Sequence, residues 1–441
     1  MSSITQLISN PLKRAWCLFD WAHSVWPVVI ITFVFPNYFT KEIAADSFTG
    51  SILWGHAMTL SGLLIGLITP FLGVISDTLG NSMFWLRLFT IINIICAFAL
   101  WFAYPDPSYI YYSLTFVILG VVAFEVSSAF YNGQLTQICD SDEISKISGL
   151  AWGLGYIAGI FCLAIAFILF IKPDIPAFGF SEANHQSHIR IIGPLVGLWY
   201  LVFAIPLMLQ SEDKFPNKSV INKNEHPPLL TILKSAYRKF IDSIHKAKKT
   251  SFIFYYLIIR MIYTDGINTL FAFAGIYAAN TFDMDMYGIM IFGIACNLVC
   301  GIGAILCGWL DSIIGEQRSI TIGLTFITII TAAILSVDTL EAFWVLALLA
   351  TFFIGPLQAS SRSLMAKICP DESRGEFFGL YALSGRITSF LGPLFLTEIT
   401  LITGSQRSGM STILIFFIIG LIGMLWLEIP QQLLVATKES D

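Results

Sequence analysis

The chain has 441 residues, 56% of them hydrophobic, 14% aromatic and only 12% charged, with a mean hydropathy of +0.77 and a formal net charge of −5. That balance excludes a water-soluble globular domain, and the lack of any long single-sign charge block excludes nucleic acid as a partner. The bilayer is the solvent in which this sequence must be read, and the expected fold class is an all-α membrane protein.

The polar start carries Lys13 and Arg14 just ahead of an apolar run longer than a signal-peptide core and without a small-residue cleavage site, so this run should stay as the first membrane helix. Stretches able to cross a hydrocarbon core of about 30 Å fall at 15–39, 51–76, 83–103, 110–131, 147–171 and 190–209. After a polar interval they resume at 252–280, 287–310, 319–336, 341–366, 376–402 and 409–430, which makes twelve. With the N-terminus cytoplasmic, only Lys41, Lys172, Arg190 and Arg407 fall outside, so both termini are expected in the cytoplasm.

The expected domains are a six-helix bundle at 1–210, a cytoplasmic basic linker at 211–251 and a second six-helix bundle at 252–441. Within the linker, Leu229, Leu230, Ile232, Leu233, Ala236, Phe240 and Ile244 form an apolar stripe beside Lys234, Arg238 and Lys239. That pattern predicts an amphipathic helix on the inner leaflet, the alternative being a solvated linker. The halves also repeat: at a constant offset of 230 residues (138 to 368), Ile138 and Cys139 match Ile368 and Cys369, Gly149 matches Gly379 and Gly155 matches Gly385. Two pseudo-symmetric bundles of this kind are the pattern of parallel-repeat transporters.

An ionisable group at the centre of a membrane helix costs about 2.5–3.5 kcal/mol on insertion scales, so it tends to face the bundle interior or a wet cavity. The candidates are Asp20, Glu125, Arg260, Asp265, Arg362 and Arg386. In the first span Asp20 and His23 share a face, placing a carboxylate one turn from an imidazole that titrates near neutral pH, a candidate pair for proton coupling. In the fourth, Glu125, Ser128 and Asn132 form one stripe; in the tenth, Gln358, Ser361 and Arg362 form another. In the seventh, Asp265 and Asn268 share a face, Tyr263 is a candidate cavity residue, and Gly266 and Gly275 are places where the helix could bend around a ligand.

The eight cysteines lie almost wholly in apolar runs without metal-ligand spacing and read as packing residues, so no metal and no cofactor is expected. No GxxxxGK[ST], HExxH or GxSxG motif is present, so the chain shows neither a nucleotide motor nor a hydrolase signature and is not expected to be an enzyme.

At FDWAHSVWPVVIITFVFPNYF (19–39), FYNGQLTQICDSDEISKISGLAWGLGYIAG (130–159), YTDGINTLFAFAGIYA (263–278) and IGPLQASSRSLMAKICPDESRGEFFGLYALSGRITSFLGP (354–393) the sequence resembles the major facilitator superfamily. Within it the resemblance is to the branch of vacuolar amino-acid effluxers and their bacterial relatives. It implies a rocker-switch fold in which two bundles tilt about a midplane site. GVISDTLG (73–80) is similar to the superfamily's loop signature, which would make Asp77 a gating residue, with Arg87 the nearest cation and Asp311 its repeat counterpart. His23 stands where this branch has Asn.

The expected function is thus secondary transport of a small polar solute, amino acids or similar metabolites by resemblance, with export favoured and protons as the coupling ion. The expected setting is a monomer among the lipids of a bacterial inner membrane. The reading from another class is a receptor or scaffold that keeps the fold without transporting.

Overall fold

A computed structural model describes residues 10–79, 82–138, 141–173, 177–211, 248, 251–369, 377, 380–381 and 383–430. Among these residues every regular element is helical. The principal helices are α1 (Pro11–Ile43), α2 (Ser47–Leu79), α3 (Ser82–Ala99), α4 (Ile110–Ile138), α5 (Ser141–Ala166) and α6 (Ile192–Met208). They continue with α7 (Ser251–Thr281), α8 (Met286–Ile314), α9 (Glu316–Ile334), α10 (Leu340–Ile368), α11 (Leu391–Thr403) and α12 (Gln406–Trp426). The amphipathic linker helix expected from the sequence lies outside the described residues.

Eleven of the described helices are long and apolar enough to cross a membrane. The exception is α11, whose 13 residues reach only about 20 Å at 1.5 Å per residue. A continuous span at 376–402 is therefore corrected: residues 385–390 form turns, and regular helix starts at Leu391. Pro393 supplies the cause, because it has no N–H for the Ser389 carbonyl and its ring would clash there in an uninterrupted helix.

The first span is irregular too. It begins at Pro11 with Asn10 accepting the Leu12 amide at 2.9 Å, then passes into π-helix at Trp26–Phe33 and again at Phe39–Ile43. Pro27 opens the first of these stretches, and the Thr32 hydroxyl donates to the Pro27 carbonyl at 3.0 Å. Outside the membrane, Asp46 caps α2: the Thr49 amide (2.9 Å) and hydroxyl (2.7 Å) donate to it and hold its carboxyl below the usual carboxylate range.

The chain divides into two compact units, Met1–Ala236 with Ala272–Ile294, and Tyr237–Phe271 with Ala295–Asp441. The first unit has an aromatic core in which Trp16 stacks on Tyr131 with centroids 4.3 Å apart, each side chain donating to the other's backbone carbonyl at 3.1 Å. Also inside that unit, the outer parts of α7 and α8 meet α1 and α2. Gly275 lies against the Thr32 carbonyl and Gly293 against the Phe33 ring, Lys41 donates to the Met284 carbonyl at 3.0 Å, and Asn280 donates to Ser51 at 3.0 Å.

In the second unit, Gly420 and Gly423 of α12 receive Tyr263 and Ile259 of α7, while Gly266 of α7 receives Phe416 and Phe417. α7 runs unbroken through Gly266 and Gly275, and both glycines lie in close helix contacts. Cys17, Cys96, Cys162, Cys296, Cys300 and Cys369 are buried.

Candidate functional site

The second unit builds a polar assembly on one side of α7. Tyr256, Arg260 and Tyr263 recur at helical spacing, which brings all three toward α10 and the segment that precedes α11. The Tyr256 hydroxyl donates to the Ser361 carbonyl at 2.6 Å and lies 2.8 Å from its Oγ, while the Tyr263 hydroxyl reaches the same Oγ at 2.7 Å. Ser361 is buried, and so are both tyrosines. This shared hydroxyl ties α7 to α10.

Between them Arg260 turns the other way. Its Nη1 donates to the Tyr381 carbonyl at 2.7 Å and to Ser384 Oγ at 2.8 Å, and its guanidinium lies 3.6 Å from the centre of the Tyr381 ring. Hydrogen bonds and a cation–π contact thus fix the group in one plane and one orientation.

One turn further along α7, Asp265 is 2% exposed and neither carboxylate oxygen has a hydrogen-bond partner. It sits beside the start of α11. Within that first turn the Leu391 amide is taken by the Thr388 carbonyl, the Leu394 amide by the Phe390 carbonyl, and Pro393 has none. The Gly392 amide is the donor left over, and it faces the Asp265 carboxylate without closing a bond at good geometry. Gly392 is required for this approach: a Cβ there would overlap the Thr269 hydroxyl and come within 3.2 Å of the Asp265 carbonyl. An acid at the positive end of a helix, with one unclaimed amide before it, is electrostatically favoured but not satisfied.

Arg260, Thr264 and Asn268 follow at i, i+4 and i+8 and are half-exposed, half-exposed and exposed. Tyr255, 58% exposed, lies on a different side of α7. A polar, accessible stripe on a membrane helix tends to face a bundle interior or a wet cavity. Asn268 Nδ2 donates to the Gly385 carbonyl at 3.4 Å, so this stripe also borders the unwound turns before α11. Irregular backbone at membrane depth is tolerated where it lines such a cavity.

The remaining candidates are placed as follows. In the first unit Asp20 accepts from Ser24 at 3.3 Å, and His23 is 7% exposed, stacks on Phe124 at 4.0 Å and meets Ser128 Oγ at 2.6 Å. His23 also lies within 6.3 Å of the Phe19, Tyr131 and Tyr200 rings, inside an aromatic box. Glu125 is half-buried and Asn132 exposed. Arg87 Nε donates to the Met208 carbonyl at 2.7 Å and Nη2 to the Gln210 carbonyl at 2.5 Å, so it caps the end of α6. Asp77 and Asp311 lie in α2 and α8, with side chains outside the described set. Gln358 and Arg362 of α10 are half-buried, and Arg386 lies in the turns before α11.

Several participants escaped the sequence reading. Tyr256, Tyr381, Ser384 and Gly392 carry no motif of their own, although Gly392-Pro393 was a legible helix-breaking pair. Glu398 in α11 is a further acid within an apolar helix, and Arg190, 4% exposed, holds the Trp101, His185 and Asn184 carbonyls. Among the described residues no cluster of three or more His, Cys, Asp or Glu could hold a metal.

Residues 133–433 match the family described as "Vacuole effluxer Atg22 like". An uncharacterised MFS-type transporter, YxiO, from Bacillus subtilis is 23% identical over 435 residues, covering 97% of each chain. Autophagy-related protein 22 of Neurospora crassa is 24% identical over 321 residues, covering 66% of this chain and 41% of the fungal one. The crystal structure of a D-xylose-proton symporter superposes with a TM-score of 0.67 at 14% identity, covering 95% of this chain and 98% of that one, which shows a shared fold.

Proposed function

The chain belongs to the vacuole effluxer Atg22-like family, and from that premise we propose that it exports a small polar solute in exchange for protons taken up at Asp265. It is an integral membrane transporter with the major facilitator fold, not an enzyme, and its substrate is a small molecule. The observation that carries the coupling is the buried carboxylate with no hydrogen-bond partner in a membrane helix. An ionised carboxylate costs several kcal/mol to bury unpaired. Asp265 therefore passes through the closed conformation carrying a proton, and releases it only when the site admits water. That is the elementary linkage between a proton gradient and a change of conformation.

The same reading places the bundles 1–210 and 252–441 as the rocking bodies of a monomer in a bacterial plasma membrane, with both termini cytoplasmic. An amino acid or related metabolite is the favoured cargo, because the polar stripe Arg260–Thr264–Asn268 offers a cation and an amide rather than an apolar pocket. Export is favoured by the family's description as effluxers.

The test has two stages. A thermal-shift screen of the purified protein against a metabolite library finds the cargo, since a ligand at 100 times its Kd stabilises by about 2.7 kcal/mol. Counterflow of that compound in proteoliposomes then separates a transporter from a receptor, which would bind it and give none.

A further inference from the structure

We infer that Arg260 is an anchor for a carboxylate on the transported solute, held through the Nε–Nη2 edge of its guanidinium. The inference rests on the transport reading and narrows it to cargo that carries a carboxylate.

The argument starts from what Arg260 already uses. Both hydrogen bonds of its guanidinium come from Nη1, to the Tyr381 carbonyl and Ser384 Oγ, and the Tyr381 ring covers one face. Among the described residues Nε and Nη2 hold no hydrogen bond, and no carboxylate pairs with this cation. A guanidinium is always charged and presents its donors in a rigid fork. With Nη1 occupied, the vacant edge offers two parallel N–H groups, the arrangement that matches the two oxygens of a carboxylate.

The surroundings suit that ligand. Arg260 is partly exposed, on the same helix stripe as Thr264 and the exposed Asn268. A cation without a counter-anion within a membrane span is costly, and a bound anion removes the cost. The backing is rigid: Ser384 Oγ donates to the Tyr381 carbonyl at 2.8 Å, so both acceptors that orient Nη1 belong to one locked turn. Asp265 belongs to α7 as well, but is buried against α11, so it does not neutralise Arg260 as an ion-pair partner.

The test uses the purified full-length protein in detergent and a panel of matched pairs: acetate, lactate, succinate, alanine and glutamate, each beside its primary amide. The expected result is that at least one acid binds in thermal-shift and calorimetric titration while its amide binds at least tenfold more weakly. Arg260→Lys, which keeps the charge and loses the fork, and Arg260→Gln should each weaken that acid at least tenfold. The exposed Arg318→Gln should leave its affinity unchanged. An amide that binds as well as its acid, an affinity unaltered in Arg260→Lys and Arg260→Gln, or a panel with no acid ligand at all overturns the assignment. Counterflow of the same acid keeps the two readings apart. Loss of binding in the variants without wild-type counterflow leaves the anion site standing and removes transport, whereas counterflow that persists in Arg260→Gln removes the anion site alone.

Discussion

Replacing Asp265 should separate stability from function. The side chain is 2% exposed, and neither oxygen has a partner. A buried polar group left unsatisfied costs about 1–3 kcal/mol. Asp265→Val keeps the branch near its size and removes both unmet acceptors, against a helix-propensity loss of roughly 0.5 kcal/mol. The net expectation is a gain on the order of 1–2 kcal/mol, with transport abolished. Asp265→Asn keeps the shape, removes the charge, and should be at least as stable as the parent, also without transport. The assay uses the chain's own thiols: Cys17, Cys96, Cys162, Cys296, Cys300 and Cys369 are buried, so a thiol-reactive dye reports unfolding as they become accessible. If both variants melt earlier than the parent by more than about 1 kcal/mol, the carboxylate has a partner that holds the fold together and the reasoning fails. It fails equally if either variant exchanges cargo at the parental rate.

Other outcomes follow from the same geometry. Gly392→Ala should destabilise by about 1–3 kcal/mol through overlap with the Thr269 hydroxyl, and Thr269→Ala should restore much of the loss, a coupling that a double-mutant cycle in thermal unfolding would measure. His23→Gln should fold, transport and retain its pH dependence, because His23 is enclosed by aromatic rings and bonded to Ser128; flux measured from pH 5.5 to 8 checks this. Arg190→Met should cost about 3 kcal/mol, since three backbone carbonyls lose their donor, yet leave cargo affinity unaltered in titration.

Much of the architecture was legible because membrane helices announce themselves by length and hydropathy alone. Many span limits read from apolar runs fall close to the helix ends, as with 287–310 against Met286–Ile314, while 110–131 ends seven residues short of α4 (Ile110–Ile138). The failure at 376–402 is instructive: hydropathy sees an unbroken apolar stretch and is blind to backbone continuity, while Gly385, Gly392 and Pro393 carried the signal for a break. The two halves differ locally in the same place, since Gly155 lies inside the continuous α5 and its counterpart Gly385 lies in a turn.

For the site, the scarcity of charge in hydrocarbon drew attention to Arg260 and Asp265, but helical spacing put Asn268 on one face with Asp265, whereas in the structure Asp265 is buried and Asn268 is exposed on the stripe with Arg260. Sequence reasoning missed Tyr256, Ser384 and Gly392 because their roles depend on which helices touch. A tyrosine that ties α7 to Ser361 looks, in isolation, like any of the chain's 15 tyrosines. The same limit applies to the contacts of Arg87 with the end of α6, which the sequence did not reveal.

The most direct measurement follows cargo and protons together. Proteoliposomes loaded with a pH-sensitive dye and the cargo found by thermal-shift screening should show cargo efflux accompanied by a matching movement of protons in the opposite sense. In Asp265→Asn vesicles both signals should vanish while the protein remains folded. Cargo movement without any change in internal pH, or proton movement that persists in Asp265→Asn, would contradict coupling through this carboxylate.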